Sequence, residues 1–139
     1  MATKSGSRSG RTLSKSLSHK TESNLPTEHQ EQVAFIEWLK YQFPTVRYFS
    51  VPNGFFGVNF GIVQKLKKEG MQKGVMDIFL LEFGVAIEFK RQSGGRLSPE
   101  QKDWAIYFEE KCGLKVIVAH GCQDAVNQLM DYLTLRNNK

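Results

Sequence analysis

Two charged residues interrupt an apolar run in this chain. In Val85-Ala-Ile-Glu-Phe-Lys90, Glu88 and Lys90 are two positions apart. The run reads as a β-strand, so both side chains leave the same face. Charged groups are seldom buried without partners, and an acid and an amine in mid-strand need a reason. A second apolar strand, Asp77-Ile-Phe-Leu-Leu81, is separated from it by only Glu82-Phe83-Gly84. A two-residue loop at Phe83-Gly84 sets Asp77 opposite Lys90 and diagonal to Glu88. A loop at Glu82-Phe83 sets Asp77 opposite Glu88. Either register brings both carboxylates to one face, whereas a three-residue loop needs a bulge to do so.

Two carboxylates in such proximity repel, and one of them tends to stay protonated. A hard divalent cation between them removes the conflict, and oxygen-rich open sites suit Mg²⁺ or Mn²⁺. Such an ion polarises a phosphodiester and lowers the pKa of a bound water. Lys90 beside it can orient that water or stabilise charge on a phosphorane. The competing reading is a buried ion-pair cluster of Asp77, Glu88 and Lys90, an arrangement that folding alone favours weakly. The hairpin and the preceding Gly74-x-x-Asp77 give weight to the metal reading.

The elements that must hold these residues follow from punctuation and periodicity. Thr27 is an N-cap and Gln30 completes a capping box, opening a helix that Pro44 ends. Its apolar face is expected from Val33, Ile36 and Leu39, widened by Phe35 and Trp38. Val46–Val51 reads as a strand, Pro52-Asn53-Gly54 as a turn and 59–69 as a second helix. The two strands of the hairpin are apolar on both faces, which suits a sheet covered by helices on both sides. Beyond the Gly-rich Ser93-Gly94-Gly95, Ser98 caps a helix with Pro99 at N1 and Gln101 at N3, ending near Cys112-Gly113. Lys115–Ala119 forms a fourth strand and Asp124–Leu135 a closing helix. The order α-β-α-β-β-α-β-α predicts one α/β domain around a mixed sheet.

Length and charge set the outer bounds. A chain of 139 residues, 40% apolar and 12% aromatic, can bury a core of its own. No apolar stretch is long enough to span a bilayer or serve as a signal-peptide core, so a cytoplasmic protein without a membrane partner is expected. Cys112 and Cys122 are too few for a disulfide scaffold and read as ordinary reduced thiols. The net charge of +5 is concentrated at one end: residues 1–24 carry five basic groups against Glu22 alone, leaving 14 basic and 13 acidic groups elsewhere. Residues 1–26 therefore read as a disordered basic Ser-rich tail, able to touch phosphates without sequence preference, and 27–136 as the folded domain.

Taken together, Gly74-Val-Met-Asp77 and Glu88-Phe-Lys90 resemble the signature of the PD-(D/E)xK nuclease superfamily. The chain looks more closely like its VRR-NUC (virus-type replication-repair nuclease) domain, of the stand-alone phage or bacterial type. The supporting stretches are Glu28-His-x-x-Gln32, Val51-Pro-Asn-Gly54, Lys73-Gly-Val-Met-Asp77, Ile87-Glu-Phe-Lys90 and Leu97-Ser-Pro-Glu-Gln-Lys-Asp-Trp104. They cover about residues 27–133. Met76 stands where the superfamily name has Pro, which leaves the acid in place.

The resemblance implies a restriction-endonuclease-like core and a Mg²⁺- or Mn²⁺-dependent endonuclease acting on DNA. Asp77, Glu88 and the Phe89 backbone carbonyl would bind the metal, and Lys90 would act on the attacking water. Glu28 would be the additional acid that closes the site, with Gln32 one turn later on the same helix face. Gln101 matches a glutamine that the superfamily often carries on the helix after the catalytic strand. Both have plainer readings: the helix dipole favours Glu28, and Gln101 serves a capping box. Glu31 is the alternative to Glu28. Asn53, Lys65, Lys68, Lys73, Arg91 and Arg96 are candidate DNA contacts, alongside Gln32. Stand-alone members resemble small dimeric resolvases, which implies a homodimer cleaving branched DNA such as a Holliday junction; the alternatives are a monomeric nicking or flap-type nuclease and a non-catalytic DNA-binding module. His29 and His120 lack ligand spacing and read as structural or exposed.

Overall fold

The computed structural model describes residues 24–52 and 59–139. Most of the basic tail, and Asn53 and Gly54 of the expected turn, lie outside the described residues. The elements run α1 (Glu28–Gln42), β1 (Phe49–Ser50), α2 (Phe60–Lys68), β2 (Ile78–Leu80), a 3-10 turn (Leu81–Phe83), β3 (Val85–Lys90), α3 (Pro99–Cys112), β4 (Lys115–His120) and α4 (Cys122–Asn137). Their order is the one expected.

The sheet has the order β1-β2-β3-β4, with two antiparallel pairings followed by a parallel one. All six residues of β3 are buried, because helices cover both faces of the central strand. On one face, Phe35 and Leu39 of α1 and Ala125 and Leu129 of α4 pack on Ile78, Leu80, Val85, Ile87, Phe89, Ile117 and Ala119. On the other, Phe108 and Trp104 of α3 pack on Met76, Phe79, Ala86 and Val116. Glu88 and Lys90 share strand parity with Ala86, so they face α3.

Both expected capping boxes form. Thr27 Oγ1 accepts the Gln30 N–H at 3.2 Å and Gln30 Oε1 accepts the Thr27 N–H at 2.9 Å. Ser98 Oγ accepts the Gln101 N–H at 3.1 Å, and Gln101 Oε1 accepts the Ser98 N–H at 2.8 Å. The buried seam of α1 differs from the expected one: it is Glu31, Phe35 and Leu39, while Val33 is exposed. The physical reason is Glu31, whose carboxylate accepts the Cys122 N–H at 2.7 Å and a hydrogen bond from Gln92 Nε2. An acid there caps the N-terminus of α4, which has no capping side chain of its own at Gly121. α4 accordingly starts at Cys122, two residues before the expected Asp124.

Two strands are shorter than expected. β1 keeps only Phe49 and Ser50 of the run 46–51, paired with Phe79 and Ile78 at the edge of the sheet. β2 ends at Leu80, since Leu81–Phe83 coil into a 3-10 turn that Gly84 closes in the left-handed region, φ 66°.

Candidate active site

The β2–β3 register pairs Ile78 with Ile87, Phe79 with Ala86 and Leu80 with Val85. Extended by one step it sets Asp77 opposite Glu88, the register of a loop at Glu82-Phe83. The ladder is altered at Asp77. Its N–H donates to the Ile87 carbonyl at 3.0 Å, so Asp77 and Ile78 both address Ile87, the two-against-one count of a bulge. Its carboxylate then accepts the Phe89 N–H at 2.7 Å. In a strand the N–H and C=O of one residue point to the same neighbour, so the Phe89 carbonyl is also directed towards the Asp77 side.

Glu88, Lys90 and Gln101 form a closed triangle on that face. Lys90 Nζ lies 3.0 Å from Glu88 Oε1 and donates to Gln101 Oε1 at 3.0 Å. Gln101 Nε2 donates to the same Glu88 oxygen. The two readings of Gln101 coexist, because its amide oxygen serves the capping box and Lys90 while its amide nitrogen serves Glu88. Glu88 is 2% exposed and Lys90 8%. Glu88 Oε2 is, among the described residues, the one buried side-chain oxygen without a hydrogen-bond partner. Burial, then the Asp77 charge, push the Glu88 carboxyl up to about 7, against the lowering influence of Lys90. Burying a carboxylate with an unsatisfied oxygen is costly, a cost that a bound cation would offset. The donor set, two carboxylates and a backbone carbonyl, is the hard-oxygen chemistry that suits Mg²⁺ or Mn²⁺.

Close packing sets the frame. Gly74 has φ 82°, and a Cβ there would lie 2.7 Å from Glu100 Cβ and 3.0 Å from the Gln101 N. The Lys73-Gly74 segment thus presses directly on the first turn of α3, held by Trp104 Nε1 donating to the Lys73 carbonyl at 3.1 Å and by the Lys73–Glu100 ion pair at 3.2 Å. A Cβ on Gly95 would come within 2.9 Å of Lys90 Cβ, so the glycine loop after β3 seats the lysine stem.

The remaining candidates spread around this centre. Glu28 is exposed on the first turn of α1 and contributes a small upward push on Glu88. Among the described residues no group of three or more His, Cys, Asp or Glu side chains converges as a metal cage. Glu28 lines a groove of about 680 Å³ with Thr27, Arg91 and Ser93–Gly95, immediately beyond Lys90. Gln32 lies on a different surface groove, with His29, Val33 and Ile36. Lys65, Lys68, Lys73, Arg91 and Arg96 are exposed, and Lys65 is 3.9 Å from Glu69. Asn53 is outside the described residues. Glu31 belongs to the α1–α4 junction, and the thiols of Cys112 and Cys122 are free. No helix among the described residues is long and apolar enough to cross a membrane.

Sequence reasoning missed the clamp of Lys73-Gly74 on α3 and the carboxylate cap by Glu31. The first had a signal, a glycine three residues before the acid. The second had one too: Glu31, Phe35 and Leu39 follow one another at four-residue spacing.

No protein-family model and no curated protein sequence matches the chain. A solved structure described as a VRR_NUC domain protein matches it with a TM-score of 0.66. The match covers 81% of this chain and 92% of the other at 21% identity. The likeness is one of fold: a mixed four-stranded sheet between helices, the restriction-endonuclease-like architecture.

Proposed function

We propose that this chain is a VRR-NUC-type, divalent-metal-dependent nuclease that hydrolyses phosphodiester bonds in DNA. The observation that carries the reading is the buried Glu88 carboxylate, its pKa raised by burial and by the nearby Asp77 charge, with one unsatisfied oxygen and the Lys90 ammonium 3.0 Å away. The fold likeness to a VRR_NUC domain protein supports it.

Asp77, Glu88 and the Phe89 carbonyl would hold Mg²⁺ or Mn²⁺, with Glu28 the nearest further acid on α1. Bound there, the ion supplies Lewis-acid polarisation of the phosphodiester and a lowered pKa for an adjacent water. Lys90, tethered by Gln101, holds a positive charge beside the reacting phosphate and orients the attacking water. Gln101 keeps the carboxylate and the ammonium in register, which limits the motion that would loosen the site. Arg91, Arg96, Lys65, Lys68, Lys73, Asn53 and Gln32 are the DNA contacts of this reading, supplying salt-sensitive affinity.

At a finer level, the substrate is branched DNA and the active form a homodimer, since two sites related by a two-fold suit two strands of a junction. The site would work in the cytoplasm of a bacterial or phage-infected cell. The test is cleavage of a labelled four-way junction, a flap and a plain duplex, with Mg²⁺, Mn²⁺ or chelator, beside Lys90→Ala. Metal-dependent cutting lost in the variant is expected. Cutting by Lys90→Ala at the wild-type rate would contradict the assignment. Light scattering at micromolar concentration decides the dimer, and a monomeric mass would remove it.

A further inference from the structure

The edge of the sheet beside the acid pair carries a flat aromatic surface that is half open to solvent. Phe49 on β1 is opposite Phe79 and stacks on it, with centroids 5.1 Å apart and the planes only 7° apart. Phe79 is buried against Phe108 of α3. Phe49 itself is 48% exposed, so one face of its ring is backed by Phe79 and the ring remains half in solvent. An aromatic ring held parallel to a rigid neighbour is oriented in advance, which a merely hydrophobic surface residue is not.

Its place in the sheet gives the ring a direction. Phe79 pairs with Ala86, and Ala86 shares its strand face with Glu88 and Lys90, so the Phe49–Phe79 stack belongs to the face that carries them. Phe49 therefore lies about 7 Å along the strand direction from the level of Glu88. The β1 backbone is tied to that point, since the Val51 N–H donates to the Asp77 carbonyl at 2.9 Å. Further from the site, Arg47 and Phe49 line one groove of about 470 Å³ with Thr45, Tyr48, Leu81 and Glu82. Phe49 and Arg47 thus follow one another along the β1 edge, leading away from Glu88. A guanidinium beside an exposed aromatic platform is a combination on which a phosphate pairs and an unpaired base stacks.

We propose that Phe49 is a stacking platform for an unpaired DNA base next to the scissile phosphodiester, and that Arg47 pairs with a phosphate of the same strand. The inference rests on the nuclease reading and deepens it: the β1 edge selects substrates with a single-stranded segment over continuous duplex.

The test uses the full chain in chelator, where cleavage is silent, with a single-stranded oligonucleotide carrying 2-aminopurine at successive positions. Wild type is expected to bind it and to quench the probe at one position by stacking. Phe49→Leu, which keeps an apolar side chain, is expected to abolish that quenching and weaken binding about tenfold. Phe49→Trp should retain both, and Arg47→Gln should lower the salt slope by about one. Absence of single-strand binding by wild type overturns the proposal. So does unchanged quenching in Phe49→Leu, or a dimer that this variant converts to monomer, which would make the ring a subunit contact. Wild-type cleavage of a flap by Phe49→Leu, with unchanged KM, would overturn the stacking role and leave the nuclease reading standing. Phe49-dependent quenching in a chain that never cuts DNA would sink the nuclease reading alone.

Discussion

The Asp77 carboxylate accepts the Phe89 backbone N–H at 2.7 Å, so a side chain takes the place of the next rung in the β2–β3 ladder. A regular ladder would have offered Phe89 to the backbone of Met76. The bulge at Asp77 instead turns the acid back across the strand whose Glu88 and Lys90 it must meet, as bulges beside active sites commonly do.

That contact separates two roles of Asp77. Asp77→Asn keeps an oxygen for the Phe89 N–H while removing the charge. Its melting temperature in chelator should therefore stay close to wild type, whereas metal-dependent cleavage should fall at least about a hundredfold. Asp77→Ala should lose about 1–2 kcal/mol of stability as well, because a buried donor loses its partner. Chemical denaturation and single-turnover cleavage on the same samples check both.

The Glu88 shift makes a signed prediction about pH. Its carboxyl titrates near 4.5 in an unfolded chain and near 7 in the folded one. Between those values the folded state binds more protons, so stability in chelator should fall as pH rises from about 4.5 to 7 and level off above. The full swing is on the order of 3 kcal/mol. A bound divalent ion needs the ionised carboxylate, so Mn²⁺ affinity should climb over the same range with release of a proton. Melting curves at pH 5, 6, 7 and 8, with and without Mn²⁺, would show the two trends running in opposite directions. In Glu88→Gln the slope attributed to this group should vanish.

Gln101 and Ser98 share a capping box, yet only Gln101 reaches Glu88 and Lys90. Ser98→Ala should cost about 1 kcal/mol and leave most of the turnover intact. Gln101→Ala should cost a similar amount of stability and reduce kcat at least about tenfold, since the ammonium and carboxylate lose their shared tether. Equal kcat in the two variants would make Gln101 a helix cap and nothing more.

Gly74→Ala tests the clamp behind the acid. The new methyl would meet Glu100 Cβ at 2.7 Å, in a backbone conformation that L residues avoid. We expect a loss of about 1–3 kcal/mol in denaturant unfolding, with reduced turnover because the first turn of α3 carries Gln101. Gly70→Ala, also at positive φ but in open space, should cost less and leave turnover unchanged.

Capping boxes, the order of elements along the chain and the acid–lysine face are legible because each rests on local spacing. Thr27-x-x-Gln30 and Ser98-x-x-Gln101 announce their helices within four residues, and Glu88-x-Lys90 announces a shared face. What was not readable depends on contacts distant in sequence. Periodicity sets the α1 face on Val33, Ile36 and Leu39 with Phe35 and Trp38; Phe35 and Leu39 are buried, but Val33 is exposed and Glu31, whose acid finds its partners at Gln92 and Cys122, is buried. β1 was expected to be longer because Val46–Val51 is rich in strand formers. Only Phe49 and Ser50 pair with β2, at the edge of the sheet. The hairpin register stayed open until the Leu80–Val85 pair closed it. The bulge at Asp77, which aims the acid, left no mark in residue type.

The claim beneath all of this is that Asp77 and Glu88 share one divalent cation. The most direct measurement is a calorimetric titration of Mn²⁺ into the metal-free protein at about pH 8, where Glu88 is ionised, run beside Asp77→Asn and Glu88→Gln with their folds checked by circular dichroism. The account predicts a single Mn²⁺ per chain in the wild type and none in either variant. Wild-type Mn²⁺ binding by Glu88→Gln, or no binding by the wild type, would contradict it.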